Sequence, residues 1–271
     1  MRGAYTAGCL SWLVDEGIEF DSAYGISTGA VHLCNFLLKD KKNLFDFSTK
    51  YIADIRAIGV RAFLRCGRIV DYDFLFDELL NKTLHFSLEP LKDYPRNAKI
   101  GLYDLDDGKT NYYPVNTVDS DLLKAACTLP IIGKIVDHNN NHYLDGGISD
   151  MIPIEIAKEE GNTRFLIITT KPLDYERKPS KPFVNSVMGA MFKKYPSVIE
   201  DYKVRHLNYY KQIAAINELV EKKEAIYRYP TETIKVSRLG GNKEDLVRLY
   251  ELGRADMEKQ RNEIYKLLKD D

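Results

Sequence analysis

Apolar residues recur at helical and strand spacings along the first 170 positions of the chain. One helical face is formed by Ala4, Ala7, Leu10, Leu13 and Val14. This spacing predicts a helix over residues 4–16 that ends near Gly17. Residues 23–26 then predict a short strand, and a second helix is expected from Ala30 to about Lys39. An order of strand, tight turn and helix is typical of an α/β fold.

The alternation of strands and helices continues to about residue 170. Strands predicted over residues 99–103 and 111–115 flank the turn residues 106–108, which indicates a β-hairpin. Further segments are expected as helix, strand, helix and strand at 121–127, 142–145, 154–159 and 165–169. Residues 40–96 mix charged with aromatic residues and predict short helices and loops that cap a site. The pattern therefore predicts a three-layer α/β/α fold, a sheet flanked by helices.

Past Lys171 the composition shifts to Lys, Pro, Met and Tyr and then to long charged helices. We therefore expect an α/β domain over residues 1–175 and a mostly helical C-terminal region over residues 176–271. Asn242 is a predicted N-cap of a final helix whose third residue is Asp245. Its apolar face is expected to contain Leu249, Leu252, Met257, Ile264 and Leu268.

Composition excludes several classes of protein. A chain of 271 residues, 44% of them hydrophobic, can bury a full core. Its net charge of -1 provides no field that would select nucleic acid, so no nucleic-acid partner is expected. The four cysteines are spaced singly, which argues against a zinc site and a disulfide scaffold. Neither a signal peptide nor a long apolar run is recognisable, so a cytoplasmic location is expected.

The sharpest motif is Gly25-Ile26-Ser27-Thr28-Gly29, which has the G-x-S-x-G form of a nucleophile elbow. In such a strand-to-helix turn we expect both Gly25 and Gly29 to be required because a Cβ would find no room. The Ser27 hydroxyl would then lie at a helix N-terminus, which favours developing negative charge. A glycine-rich turn with a purely structural serine is the alternative.

A serine nucleophile needs a base, and two candidates are available. His206 is the only histidine late enough to follow the common Ser, Asp, His order, but its charged helical stretch is more typical of a surface histidine. Asp145 ends a predicted strand and is followed by Gly146 and Gly147, which allow a tight turn to present its carboxylate.

Taken together, these motifs resemble those of the patatin-like phospholipases. Arg2-Gly3 matches the end of that family's first glycine-rich motif, Ser27 its second motif and Asp145 its third. The surroundings 128–130 and 150–153 are also similar to the family's, and residues 176–271 resemble the helical extension of a bacterial subgroup.

The resemblance implies a serine acyl hydrolase that acts on lipid or phospholipid acyl esters. Ser27 would be the nucleophile and Asp145 its base, with an acyl-enzyme intermediate and no metal or cofactor. The motif glycines would be Gly25, Gly29, Gly146 and Gly147, and the oxyanion hole would involve Arg2, Gly3 and Thr28. The leading glycines and the strand before them are absent, so we expect a truncated start and a weak enzyme.

Three alternatives stay open. The chain is also compatible with a catalytically weak or inactive lipid-binding protein, and with a Ser/His/Asp esterase that uses His206. An acyltransferase is less favoured because such enzymes tend to have histidine where this chain has Ile26. The apolar segment 183–192 is bracketed by lysines, so it is interpreted as a helix packed on the domain or, less favoured, as a peripheral membrane contact. The sequence predicts no oligomeric state.

Overall fold

The computed structural model describes residues 1–236 and 241–269. Its main sheet has five strands, and a parallel pair forms a second, smaller sheet. The main sheet consists of β1 (Ser22–Ile26), β2 (Asn97–Asp104), β3 (Lys109–Pro114), β4 (Val136–His138) and β5 (Asn141–Asp145). The second sheet consists of β6 (Phe165–Ile168) and β7 (Ala225–Arg228). The expected α/β fold with a sheet flanked by helices is confirmed.

Four helices of the N-terminal part surround these strands, and shorter helices lie over them. The surrounding helices are α1 (Gly3–Asp15), α2 (Thr28–Leu37), α5 (Ser120–Cys127) and α6 (Ile154–Glu159). The expected cap between residues 40 and 96 contains α3 (Lys41–Asp46), α4 (Val60–Cys66), π-helical segments at Phe47–Tyr51 and Phe74–Thr83, and a 3-10 turn at Glu89–Leu91. Further 3-10 turns follow at Val115–Thr117 and Gly146–Ile148.

The C-terminal part is mostly helical, with α7 (Pro182–Met191), α8 (Pro196–Glu221), α9 (Lys243–Lys259) and α10 (Arg261–Lys269). As predicted, Asn242 caps α9, and its side chain accepts a hydrogen bond from the Asp245 amide at 2.7 Å. The expectation of one continuous final helix was wrong, because α9 ends before Gln260 and α10 begins after it. Strands β4 and β7 were not predicted.

The segment 183–192 packs onto the domain. Met188 and Phe192 are buried in a cluster with Leu144 and Ile148, which flank the Asp145-Gly146-Gly147 turn. The packed-helix interpretation is therefore the one that agrees with the structure. No helix among residues 1–236 and 241–269 is both long enough and apolar enough to cross a membrane.

The arrangement around β2 determines where the motifs meet. β3 pairs with residues 99–104 of β2 on one edge, so β1 and β5 share the opposite edge. β1 runs parallel to β2 and ends with Ile26 beside Gly101, whereas β5 runs antiparallel and ends with Asp145 beside Leu102. The carboxyl ends of the two strands therefore meet head to head at adjacent residues of β2.

Candidate active site

Ser27 and Asp145 face each other where the ends of β1 and β5 meet. The Ser27 hydroxyl donates a hydrogen bond to Oδ2 of Asp145 at 2.6 Å, across 118 positions of sequence. Ser27 has φ 58° and ψ -134°, a conformation that a residue with a side chain rarely adopts. Such a backbone costs about 1–3 kcal/mol and is found mostly at functional sites. The turn between β1 and α2 thus directs the Ser27 hydroxyl toward the Asp145 carboxylate.

The two glycines of the elbow have different roles. A Cβ on Gly25 would lie 2.8 Å from the Cα of Ala30 and from the carbonyl oxygen of Gly29, both backbone atoms of α2. Gly25 therefore lets β1 approach the first turn of the helix. The expectation that Gly29 is also sterically required was wrong, because a Cβ there would meet nothing within 4 Å.

The carboxylate of Asp145 is buried and held from several directions. Its Oδ1 accepts a hydrogen bond from the Gly147 amide at 2.7 Å, and its own amide donates to the Thr128 carbonyl at 2.9 Å. A Cβ on Gly146 would lie 2.7 Å from the Gly101 carbonyl oxygen, so this glycine permits the loop to approach β2. With Oδ1 occupied in this way, Oδ2 is directed at Ser27, a geometry suited to a general base.

A cavity of about 430 Å³ opens beside the pair. Its apolar wall comes from α1, α2 and the cap, and includes Leu10, Leu13, Leu33, Phe36, Phe47 and Phe76. The cavity continues along β1 to β6, residues 22–26 and 165–168. Ligand cavities of several hundred Å³ with apolar walls and few polar groups are typical of binding sites for small or lipid-like molecules.

Cationic side chains line the same cavity: Arg2, Arg164, Lys171, Arg177 and Arg205. Arg177 lies over the ring of Tyr209, with its guanidinium carbon 4.7 Å from the ring centroid. A Nη atom of Arg205 lies 3.3 Å from the position that a Cβ on Gly147 would take, within a few ångströms of the Asp145 turn. Sequence analysis named Arg2 but missed the other four, because they come from segments far from the motifs in the sequence.

Helix α8 brings a polar face to the segment that follows Asp145. Asn208 donates to the Ser149 carbonyl at 3.2 Å, while Gln212 donates to Asp150 at 2.6 Å and accepts from the Ile152 amide at 3.1 Å. With Arg205, these residues follow the i, i+3, i+7 spacing of one helix face. That spacing is the only sequence signal that could have connected α8 with the site.

None of the five histidines, all of which lie within residues 1–236, lines the cavity. His206 is half-buried, and its Nδ1 donates to the carbonyl of Lys203 at 3.1 Å on the same helix. His32 is a buried residue of α2, and burial lowers its pKa to about 4, so it is neutral near pH 7. Cys127 does line the cavity, but burial and the neighbouring Asp145 raise the pKa of its thiol well above the ordinary value. A thiolate nucleophile is therefore disfavoured.

The residues expected in an oxyanion hole lie close to the elbow. Thr28 is the first residue of α2, directly after Ser27, and the helix has no side-chain cap. Gly3 packs against this turn, since a Cβ on it would lie 3.0 Å from the Thr28 hydroxyl and 2.7 Å from Nε2 of His32. Arg2 borders the cavity, and its Nε donates to the Val236 carbonyl at 3.0 Å.

Two models of known protein families match the chain. The model of the patatin-like phospholipase family matches residues 1–158, the part that contains the elbow and the Asp145 turn. The chain belongs to the patatin-like phospholipase family. A domain of unknown function, DUF6363, matches residues 195–269, which include α8 and α9. Membership in the patatin-like family agrees with the resemblance seen in the sequence.

A curated relative of this patatin-like protein is the uncharacterized protein YjjU of Escherichia coli strain K12. The two chains are 27% identical over 176 residues, which is 63% of this chain and 49% of YjjU. The chain thus spans about half the length of the curated relative it matches.

Proposed function

We propose that this protein hydrolyses acyl esters of lipids through a dyad of Ser27 and Asp145. The supporting observation is the 2.6 Å hydrogen bond between the Ser27 hydroxyl and the Asp145 carboxylate, beside a largely apolar cavity. Asp145 takes the Ser27 proton while Ser27 Oγ attacks the ester carbonyl, and the proton then passes to the departing alcohol. Water, activated by Asp145, attacks the acyl-enzyme and releases the fatty acid and free Ser27.

Negative charge develops on the carbonyl oxygen during both steps. We assign its stabilisation to backbone N–H groups near the elbow, those of Gly3 and Thr28, with the N-terminus of α2 adding its dipole. The mechanism needs no histidine and no metal. Among the residues that the structure describes, no group of three or more metal-ligating side chains converges.

The cationic lining supports a substrate with an anionic headgroup, such as a phospholipid or lysophospholipid. Arg177 and Arg205 border the cavity from the loop after β6 and from α8, whereas the apolar wall comes from α1, α2 and the cap. Guanidinium groups bind phosphate in a bidentate way. A bound phospholipid would then place an acyl chain along the apolar wall, its headgroup near the arginines and its ester at Ser27.

The test combines covalent labelling with turnover. A fluorophosphonate probe should label the full chain at Ser27, and Ser27→Ala should abolish both labelling and hydrolysis of a soluble short-chain ester. Ser186→Ala is the matched control, because that serine is exposed on α7, where it donates to the Pro182 carbonyl. Asp145→Asn keeps the shape of the side chain and should lower kcat about 100- to 10,000-fold. Asp174→Asn, at an exposed position, should change nothing.

Several results would reject the dyad. An intact chain that the probe never labels indicates a non-catalytic lipid-binding protein of this family. Full activity of Asp145→Asn removes Asp145 as the base. Loss of activity in His206→Ala favours the Ser/His/Asp esterase instead.

A further inference from the structure

The cap carries an apolar surface that faces solvent instead of the core. Helix α4 (Val60–Cys66) lies between Gly59 and Gly67, both of which have positive φ. Ala62 is the buried residue of this helix, whereas Val60, Phe63 and Leu64 are 76%, 58% and 80% exposed. These three positions follow the i, i+3, i+4 spacing of one helix face. An amphipathic helix of a globular protein normally turns such a face inward.

Two neighbouring apolar side chains extend this face. Ile55 and Ile69 are 67% and 44% exposed, and Ile69 is connected to the start of α4, since its carbonyl accepts from the Gly59 amide at 2.8 Å. We call the five residues the α4 surface: Ile55, Val60, Phe63, Leu64 and Ile69. Scattered exposed apolar residues need no explanation, but a group of five large ones within 15 positions indicates a binding surface.

Arginines flank the α4 surface. Arg56 pairs with Asp54 and Arg65 with Asp71, so those two charges are compensated within the cap. Arg61 and Arg68 form no ion pair among the residues that the structure describes. An outward apolar face flanked by cations is the pattern by which short helices bind anionic lipid surfaces.

The α4 surface is also continuous with the candidate site. The loop that carries it is closed by a bridge between Ile58 and Val70, and both residues line the cavity that contains Ser27. The Val70 amide donates to the Ile132 carbonyl at 3.2 Å, which attaches the loop to the segment after α5. A lipid surface in contact with α4 would therefore lie next to the cavity.

We propose that the α4 surface is where this protein docks on an anionic lipid surface, so that a single lipid can pass from the surface into the Ser27 cavity. This inference deepens the hydrolase proposed above and rests on it for its purpose. The docking itself is independent of catalysis and can be measured on a variant without the nucleophile.

The experiment measures co-sedimentation of the 271-residue chain carrying Ser27→Ala with vesicles of phosphatidylcholine, with and without phosphatidylglycerol. Binding should be stronger when phosphatidylglycerol is present. Adding Phe63→Asp and Leu64→Asp should weaken it about 10-fold or more, since each change removes a large apolar side chain from the contact. Adding Arg61→Glu and Arg68→Glu should weaken binding only to the anionic vesicles, by roughly fivefold or more for each charge.

Phe183→Asp is the matched control, because Phe183 is an equally exposed apolar residue, 77%, that lies on α7 and not on the α4 surface. It should leave binding unchanged. In the protein with Ser27 intact, the α4 variants should turn over a soluble short-chain ester at the normal rate, which shows that they fold. Equal loss in Phe183→Asp, or no vesicle binding at all, overturns the proposal. A change from dimer to monomer in size-exclusion chromatography of the α4 variants, with vesicle binding intact, would assign the surface to a second copy of the chain.

Failure of docking and failure of hydrolysis are separable. Vesicle binding without any esterase activity or probe labelling rejects the hydrolase and retains the docking surface. Activity on soluble esters without vesicle binding rejects the docking surface and retains the hydrolase.

Discussion

Gly25 and Gly29 lie two residues before and two residues after Ser27, yet only one of them is enclosed. Because a Cβ at position 25 meets backbone atoms of α2, Gly25→Ala should destabilise the fold by about 2 kcal/mol or more. Gly29→Ala places its methyl in open space within a helix, so its stability should stay within about 1 kcal/mol of the wild type. Urea unfolding measures both. Equal destabilisation by the two changes would contradict the geometry of the elbow.

Asp150 makes stability depend on pH. Burial raises the pKa of its carboxyl from 3.8 to about 6, although the Tyr112 hydroxyl and the Gln212 amide both donate to it. The folded protein therefore holds this proton more tightly than the unfolded chain. The stability that it contributes is complete below about pH 4 and is lost as the pH rises through about 6.

Asp150→Asn removes that titration. The free energy of unfolding of the wild type should fall relative to the variant by roughly 1 to 3 kcal/mol between about pH 4 and about pH 7. Urea unfolding across this range measures the difference. If the two proteins keep a constant difference at every pH, Asp150 does not bind its proton more tightly in the fold.

At the scale of elements, α8 is expected to hold the turn after Asp145 in its working position. Gln212 bonds both to Asp150 and to the Ile152 amide, so Gln212→Ala frees this segment. We expect kcat to fall about 10- to 100-fold with little change in KM, because a small displacement of the Asp145 carboxylate slows the chemical step. Asn217→Ala, an exposed amide on the same helix, is the control. A change in KM alone would place Gln212 in substrate binding instead.

The same scale shows what sequence could and could not predict. Most elements of residues 1–170 follow from local spacing, and Ser27, Asp145 and their glycines follow from motifs at the ends of those elements. Strand β4 is three residues long, and β7 lies between charged stretches, so neither has a pattern of its own. The meeting of β1 and β5 on one edge of β2 depends on pairing between strands far apart in the sequence. Arg177 and Arg205 reach the cavity from a loop and from α8, so local spacing does not predict their position either.

Helices α1 and α9, which come from the N-terminal and C-terminal parts of the chain, cross in close contact. A Cβ on Gly8 of α1 would collide with the Tyr250 carbonyl, and one on Gly253 of α9 with the Tyr5 carbonyl. Gly253→Ala should therefore destabilise the protein by about 1–3 kcal/mol. Gly189→Ala in α7 meets nothing within 4 Å and should be neutral or stabilising by up to about 1 kcal/mol. Thermal unfolding distinguishes them, and an unchanged midpoint for Gly253→Ala would contradict the close approach.

Across the whole molecule, the two regions on either side of residue 175 share their packing. β6 pairs with β7, and the Tyr5 hydroxyl donates to the Tyr229 carbonyl at 2.7 Å and to Asp256 at 3.1 Å. The β6–β7 pair and the contacts of Tyr5 each need residues from both regions. We therefore expect residues 1–175 and 176–271 to unfold as one cooperative unit.

Trp12 provides a direct measurement of that cooperativity. It is the only tryptophan of the chain, it is buried on α1, and its indole N–H donates to Glu258 of α9 at 2.8 Å. Its fluorescence therefore reports on the contact between the two regions, whereas far-UV circular dichroism reports on all helices. The two signals should change at the same urea concentration, and Gly253→Ala should shift both together. Fluorescence that changes at lower urea than circular dichroism would mean that α9 separates first, and the C-terminal region would then be an independent domain that only rests against the patatin-like one.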